Sequence, residues 1–303
     1  LIIRNQVLQS RFLYPTAQPH FLQGPELYPA DPVVSFYCSL AQKGAALMMF
    51  HDLANDYQRD MPGFDTAHFC MYNIDDKACQ NYFTQLTHMV HFYGGKLCTS
   101  LMLDLEIDYM VNEPGALQRP AFGPGGGSHT GWDGEGEVKF FHGAIVGPEG
   151  TFPDMGPPGK PKTGRKLLTD ETTDEYADAV IERMLKYKAV GFDASSIPLQ
   201  ECQQFFNPKT NKRTDEYADP TRFLKRFLGR IRKAVGEDFI LYGGCPTPGD
   251  GPFDMPAKEC AAFIEEISPY VDLLYIHQPA GNWLAGYRLL EKAYKEGKAK
   301  AIG

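Results

Sequence analysis

The chain has no apolar run approaching the roughly 20 residues that a membrane-spanning helix requires, so no span is expected. It has no excess of positive charge. Its 38 Asp and Glu outnumber 30 Lys and Arg, and a net charge of -8 argues against a nucleic-acid-binding or anionic-membrane surface. Its seven cysteines (Cys38, Cys70, Cys79, Cys98, Cys202, Cys245 and Cys260) include no C-x-x-C pair. A zinc ribbon and a cysteine-ligated iron–sulfur cluster therefore lack their local ligand pattern, and neither is expected. An odd count with several members inside apolar runs fits reduced thiols and a cytoplasmic protein. Neither a signal-peptide pattern nor a Met opens the chain, and Leu1 is expected to mark a trimmed or incomplete start. The glycines of GPGGG (123–127) have no G-K-[ST] after them and no clear strand-to-helix context, so they do not read as a phosphate loop.

What is present is an alternation of apolar runs and amphipathic helices. RFLYPTA (11–17), GAALMMFHD (44–52), KLCTSLML (96–103), VGFDASSI (190–197), FILYGGC (239–245), VDLLYIHQ (271–278) and AKAIG (299–303) read as strands. Continuous apolarity fits strands covered on both faces. Between them, Asp31-Pro32 opens one helix and Asp75 stands near the start of another. Thr172 and Glu175 read as a T-x-x-E capping box, and Asp219-Pro220 caps a helix whose Arg222, Arg226, Arg230 and Lys233 read as a solvated face. Further helices are expected near 257–267 and 284–296. Crossovers of this length imply parallel pairing. The expectation is an α/β fold, a (β/α)8-type TIM barrel lacking its last strand. Residues 1–303 form one barrel domain in this reading, with 112–165 a Gly- and Pro-rich excursion carrying a hairpin near 137–146.

Candidate chemistry is thin. His51 and Asp52 end the second strand, on the rim where barrel enzymes place their reactive groups. His88 and His91 are three apart, but no third ligand is placed near them, so no metal is expected. Asp104, Glu106 and Asp108 alternate after the third strand and read as a solvated acidic edge.

The run QFFNPKTNKRTDEYADPTRFLKRFLGRIRKAVG (204–236) closely resembles the Old Yellow Enzyme family of FMN-dependent ene reductases. Members there read Q-F-L-S-P-x-x-N-x-R-x-D-x-Y-G-G and continue into a helix. The resemblance covers about residues 1–250. It implies FMN as cofactor, NAD(P)H as electron donor and an activated alkene as small-molecule substrate. It also implies flavin contacts at Pro15 and Thr16 of the first strand and at Ala45 beside the second. HFYGGKLCTSL (91–101) is similar to the family's third-strand segment, with Ser100 where the flavin-binding Gln stands. Gly191-Phe192-Asp193 matches the family's G-F-D. Pro198 then stands where the family places a substrate-binding His, and about three residues, the Tyr proton donor among them, are deleted before Gln204. Gly244 stands where the family places an Arg by flavin N1.

A second likeness covers the end of the chain. YVDLLYIHQP…GKAKAIG (270–303) resembles an aldo-keto reductase segment, and His277 matches its catalytic His, though the other members of that tetrad have no counterpart. The reading that follows is a flavin-dependent NAD(P)H oxidoreductase with altered flavin and substrate contacts, a degenerate active site. Its alternative is a non-catalytic barrel subunit of the same descent that has lost flavin. A homo-oligomer or a subunit of a larger complex is the expected assembly.

Overall fold

The computed structural model describes residues 1–14, 22–23, 28–29, 31–53, 74–102, 110–111, 131–132, 138–139, 166–197, 199, 202–209, 211, 213–246, 248–249, 255–276, 283–298 and 301–302. Seven strands form one parallel sheet. They are β1 (Leu13–Tyr14), β2 (Leu47–Leu53), β3 (Lys96–Met102), β4 (Ala194–Ile197), β5 (Ile240–Cys245), β6 (Leu273–Ile276) and β7 (Ala301–Ile302). Their order in the sheet is their order in the chain, and every pairing is parallel. Among the described residues β1 and β7 are edges, so the sheet is an open part of a barrel. Helices fill the crossovers, as parallel connections demand. They are α1 (Asp31–Gln42), α2 (Lys77–Phe92), α3 (Asp170–Ala189), α4 (Pro220–Val235), α5 (Ala257–Ile267) and α6 (Trp283–Lys295).

Alternation along each strand divides two cores. Met48, Phe50, Leu97, Leu101, Ile197, Leu241 and Leu274 pack outward against the helices. Leu47, Met49, Cys98, Ala194, Ile240 and Leu273 point inward and form a second cluster with Ile3 and Leu8. Those last two come from an N-terminal hairpin in which Ile2–Ile3 pairs with Gln6–Val7. The hairpin thus stops the floor of the half-barrel.

The helix starts follow from their caps. The Asp76 carboxylate accepts from Ala78 N at 2.7 Å and Cys79 N at 3.1 Å, and Asp219 accepts from Thr221 N at 2.9 Å. The capping box of α3 lies three residues before the expected one. Thr172 N donates to Thr169 Oγ1 at 3.2 Å, and Thr169 N donates to Thr172 Oγ1 at 2.8 Å. Thr169 has the extended backbone a cap needs, whereas Thr172 already lies inside the helix.

The arginine face of α4 stays open to solvent at Arg230 and Lys233, as read from the sequence, and its three arginines also meet α3. Arg222, Arg226 and Arg230 each make paired hydrogen bonds to Asp170, Asp174 and Asp178 of α3, at 2.7–3.1 Å. Spacing by four on both helices sets three rungs in line. Beneath them Tyr176 and Phe227 stack at 5.1 Å.

Within 112–165 only two short pieces are described. Gly131–Trp132 pairs antiparallel with Val138–Lys139, a hairpin that begins before the expected segment. Just outside it, Met110–Val111 and Lys166–Leu167 pair in parallel and bring the two ends of this stretch together.

Candidate functional site

Two aspartates anchor the sheet at its floor in the same way. Asp193 immediately precedes β4, and its carboxylate accepts from Leu97 N of β3 at 3.0 Å while its own N donates to Leu97 O at 2.9 Å. Asp272 immediately precedes β6, accepts from Leu241 N of β5 at 2.8 Å and donates to Leu241 O at 2.9 Å. Each is buried, and each is neutralised by neighbouring bases. Lys96 Nζ and His91 Nε2 stand 2.8 Å from Asp193. Arg232 Nη2 stands 2.6 Å from Asp272, with Arg4 Nε beside it. Arg232 has its guanidinium lowered by burial, with the Asp272 charge opposing that shift. The Asp of the G-F-D motif is therefore a structural anchor at the N-terminal end of the strands. His91 is engaged with it and is not poised beside His88 for a ligand.

The loop that carries the family signature is also built for structure. Asn211 Nδ2 donates to Phe205 O at 3.0 Å and Tyr217 O at 2.8 Å. Arg213 Nε donates to Asp215 Oδ1 at 2.9 Å, and the Asp215 carboxylate also accepts from Tyr217 N at 3.1 Å. Tyr217 OH donates to Asp170 Oδ1 at 2.8 Å, which ties the loop to the start of α3. Burial pushes the Tyr217 phenol up to about 12.

The opposite end of the sheet, where the strands terminate, is the functional rim of a barrel. Period-two alternation places Ser100, Ser196, Tyr242, Gly244 and Tyr275 on its inner face above the floor cluster. Ser196 is in register with Tyr242, and Gly244 with Tyr275. The Ser196 hydroxyl accepts from Leu101 N at 2.9 Å. The rings of Tyr242 and Tyr275 stack with centroids 4.4 Å apart and planes 18° apart. A Cβ added to Gly244 would lie 3.4 Å from Cζ and OH of Tyr275, so glycine leaves room for that ring.

The residues expected at the site separate in this geometry. Ser100 and Gly244 reach the inner rim. Ala45 does not. It lies before β2 in the turn after α1, where its N donates to Leu40 O at 3.0 Å and its O accepts from Gln9 Nε2 at 2.9 Å. That is the floor end of the strand. Pro15, Thr16, Pro198 and His277, with Asp104, Glu106 and Asp108, lie outside the described residues. His51 and Asp52 sit in the last part of β2, in register with Ser100 and Leu101. The tyrosine pair was missed in the sequence, because its members lie far apart in the chain and only the strand register brings them together.

No family model matches the chain. Among curated proteins it is 23% identical over 301 residues to an NADH oxidase from Thermoanaerobacter brockii, an alignment covering 95% of this chain and 40% of that protein. It is 32% identical over 109 residues to a dimethylamine dehydrogenase from Hyphomicrobium sp. (strain x), covering 33% of this chain and 14% of that one. The chain thus spans well under half the length of these relatives. An old yellow enzyme homologue from Zymomonas mobilis superposes with a TM-score of 0.59 at 14% identity, covering 100% of this chain and 86% of that one. A morphinone reductase variant in complex with tetrahydroNAD gives 0.60 at 15% identity, covering 100% and 84%.

The chain resembles the Old Yellow Enzyme family in sequence and in fold. A 2-naphthoyl-CoA reductase solved with 2-naphthoyl-CoA has the same fold at a TM-score of 0.59 and 16% identity, covering 98% of this chain and 44% of that one. The likeness to Old Yellow Enzyme structures reaches past residue 250 to the end of the chain, into the stretch that by sequence also resembles an aldo-keto reductase.

Proposed function

We propose that this chain is the barrel of a flavin-dependent NAD(P)H oxidoreductase of the ene-reductase type, acting on an activated alkene through altered flavin contacts. The observation that carries the reading is the likeness to an NADH oxidase over 95% of the chain, together with a sheet whose strands follow chain order. FMN, when bound to such a barrel, supplies the hydride-accepting ring.

The residues at the inner rim do not fit the family's ring contacts. Gly244, where the resemblance sets an Arg by flavin N1, offers no side chain, and the ring of Tyr275 stands over it. Ser100 offers a hydroxyl in place of an amide. A reduced flavin carries negative charge near N1, and the five inner-rim residues Ser100, Ser196, Tyr242, Gly244 and Tyr275 supply no cation to meet it. This mismatch favours a second reading, a barrel of the same descent that no longer binds flavin and serves as a subunit of an assembly.

Titration calorimetry with FMN, followed by NADH addition under anaerobic conditions, separates the two. Charge-assisted hydrogen bonds contribute roughly 1.5–3 kcal/mol each. Loss of two is expected to weaken FMN binding by at least about two orders of magnitude relative to an intact family member. Measurable binding followed by bleaching of the flavin absorbance supports the oxidoreductase. No binding at millimolar FMN sinks it and leaves the non-catalytic subunit.

A further inference from the structure

We propose that the floor of the half-barrel is a self-association face, on which a second copy of this chain docks about a two-fold axis. This goes beyond the flavin reading and does not depend on it.

The approaches to the floor from β1 to β6 all lie among the described residues. Four large apolar side chains among those residues are more than half exposed, and all four gather there. They are Ile2 at 68%, Val7 at 66%, Phe12 at 73% and Phe92 at 82%. Antiparallel pairing sets Ile2 directly opposite Val7, on the face of the hairpin turned away from Ile3 and Leu8. Phe12 follows on the same segment, where its O accepts from Ala46 N at 2.8 Å ahead of β2. Phe92 ends α2, two residues before Gly94. A Cβ at Gly94 would lie 2.8 Å from Oε1 of Gln9, so that turn abuts the N-terminal segment too. Single apolar side chains on a surface are ordinary, whereas several gathered at one end mark an interaction surface. At these exposures the four offer on the order of 500 Å² of apolar area per copy, the larger part of the roughly 800 Å² that each partner buries in a standard interface.

Charge identifies the occupant. The N-terminal segment crosses the floor between two ends of opposite sign. At its turn, Asn5 N donates to Glu237 O and Gln6 Nε2 donates to Asp238 O. The side chains of Glu237 and Asp238 remain 60% and 62% exposed, whereas their paired bases Arg4 and Lys188 are largely covered. At the far end of the segment Ser10 Oγ donates to Gly44 O, and Arg11 and Lys43 are exposed. The Ile2–Val7 pair lies between these ends. A two-fold axis through it sets the acidic end of one copy against the basic end of the other and buries the apolar centre of both. Closed two-fold dimers are also the commonest soluble homo-oligomers. A membrane surface fits less well, because anionic headgroups would meet the two exposed carboxylates as well as the two bases.

Sedimentation equilibrium of the full chain, from about 1 to about 100 μM, reads the oligomeric state directly. A dimer with a dissociation constant on the order of micromolar is expected. Val7→Glu and Phe92→Ser alter exposed positions and leave Ile3 and Leu8 in place. Each change enters a two-fold interface twice, and each is expected to weaken the dimer at least about tenfold. Lys43→Glu and Asp238→Lys are each expected to weaken it about two- to fivefold, more at low salt, because exposed charges contribute little. The charge-swapped double variant, Lys43→Glu with Asp238→Lys, restores opposite signs across the axis and is expected to return to within about twofold of the unaltered protein. Thermal midpoints establish that each variant is folded, and if Asp238→Lys unfolds, Val7→Glu and Phe92→Ser decide. A protein still monomeric at about 100 μM overturns the proposal, and if that monomer sediments with phosphatidylglycerol vesicles the floor belongs to a lipid surface instead. A dimer that Val7→Glu and Phe92→Ser leave unchanged, or a double variant no stronger than the single ones, overturns it as well.

Discussion

Asp272 shows how a single side chain can serve two strands and two cations. Its carboxylate accepts from Leu241 N and from Arg232, and Arg4 of the N-terminal hairpin closes on it from below. Removing it leaves Arg232 buried without its counter-charge, which is the costly way to break a buried pair. Asp272→Ala is expected to destabilise by roughly 3–5 kcal/mol, read as a lower urea midpoint. An unchanged midpoint would show that Arg232 is satisfied by the carbonyls of Gly236, Phe239 and Tyr270 that it also contacts. Gly191 makes a different residue-scale case. Its φ is +98°, and a Cβ there would lie 2.5 Å from Oγ1 of Thr87, which itself donates to Val190 O. Gly191→Ala should therefore lower stability through both strain and clash. Adding Thr87→Ala removes the clash and leaves the left-handed backbone, roughly 1–2 kcal/mol for an L-residue. The double variant should recover only part of the loss, and full recovery would mean that the backbone conformation costs nothing.

At the scale of elements, the arginine ladder between α3 and α4 links sequence spacing to pH. Arg222, Arg226 and Arg230 match Asp170, Asp174 and Asp178 at the same interval. That matching was present in the sequence. Amphipathicity alone cannot say whether a charged face meets water or an opposite face on another helix, so the face was read as solvated. The capping box was misplaced for a related reason. Thr169-x-x-Thr172 and Thr172-x-x-Glu175 both carry the pattern, and only backbone geometry distinguishes them. The strands themselves were easily read, because two-faced burial leaves a continuous apolar run. The hydrogen bond from Tyr217, with the Arg226 and Arg222 charges, holds Asp170 below the usual carboxylate range, and the hydrogen bond from Arg230 does the same for Asp178. A depressed folded value means stability present above the ordinary pKa of 3.8 and lost as pH falls through the folded values. Tyr217 runs the other way. Burial raises it from 10.0 to about 12, so its contribution is complete below pH 10 and lost between there and about 12. Thermal midpoints should fall below about pH 4 and again above about pH 10, the acid limb being steeper at low salt. Asp170→Asn should flatten the acid limb, and an unaltered limb would assign the acid sensitivity to other carboxylates.

On the scale of the whole molecule, the open sheet is held at its floor by a segment that the sequence did not flag. Residues 1–8 are too short and too mixed to read as an element, yet their hairpin delivers Ile3 at 0% exposure and Leu8 at 1% into the inner core. The contact is legible only in three dimensions, because its partners on β2 to β6 are spread from Leu47 to Leu273. The same limit hid the rim, where the Tyr242–Tyr275 stack depends on register. The N-terminal segment also ties the approaches to two strands, since Asn5 N donates to Glu237 O ahead of β5 and Gln9 Nε2 donates to Ala41 O ahead of β2. Deleting residues 1–8 should therefore do more than trim an end. Burial of two such side chains contributes roughly 1.5–3 kcal/mol each, so the loss should be roughly 3–6 kcal/mol before the Arg4 pairing with Asp272 is added. The uncovered inner face should bind a hydrophobic dye such as ANS while far-UV circular dichroism stays close to that of the full chain, because the helices pack on the outer face and keep their core. A deletion variant with an unchanged urea midpoint and no dye binding would show that the floor closes without the hairpin. Loss of helical signal along with the midpoint would show instead that the two cores fold only as one.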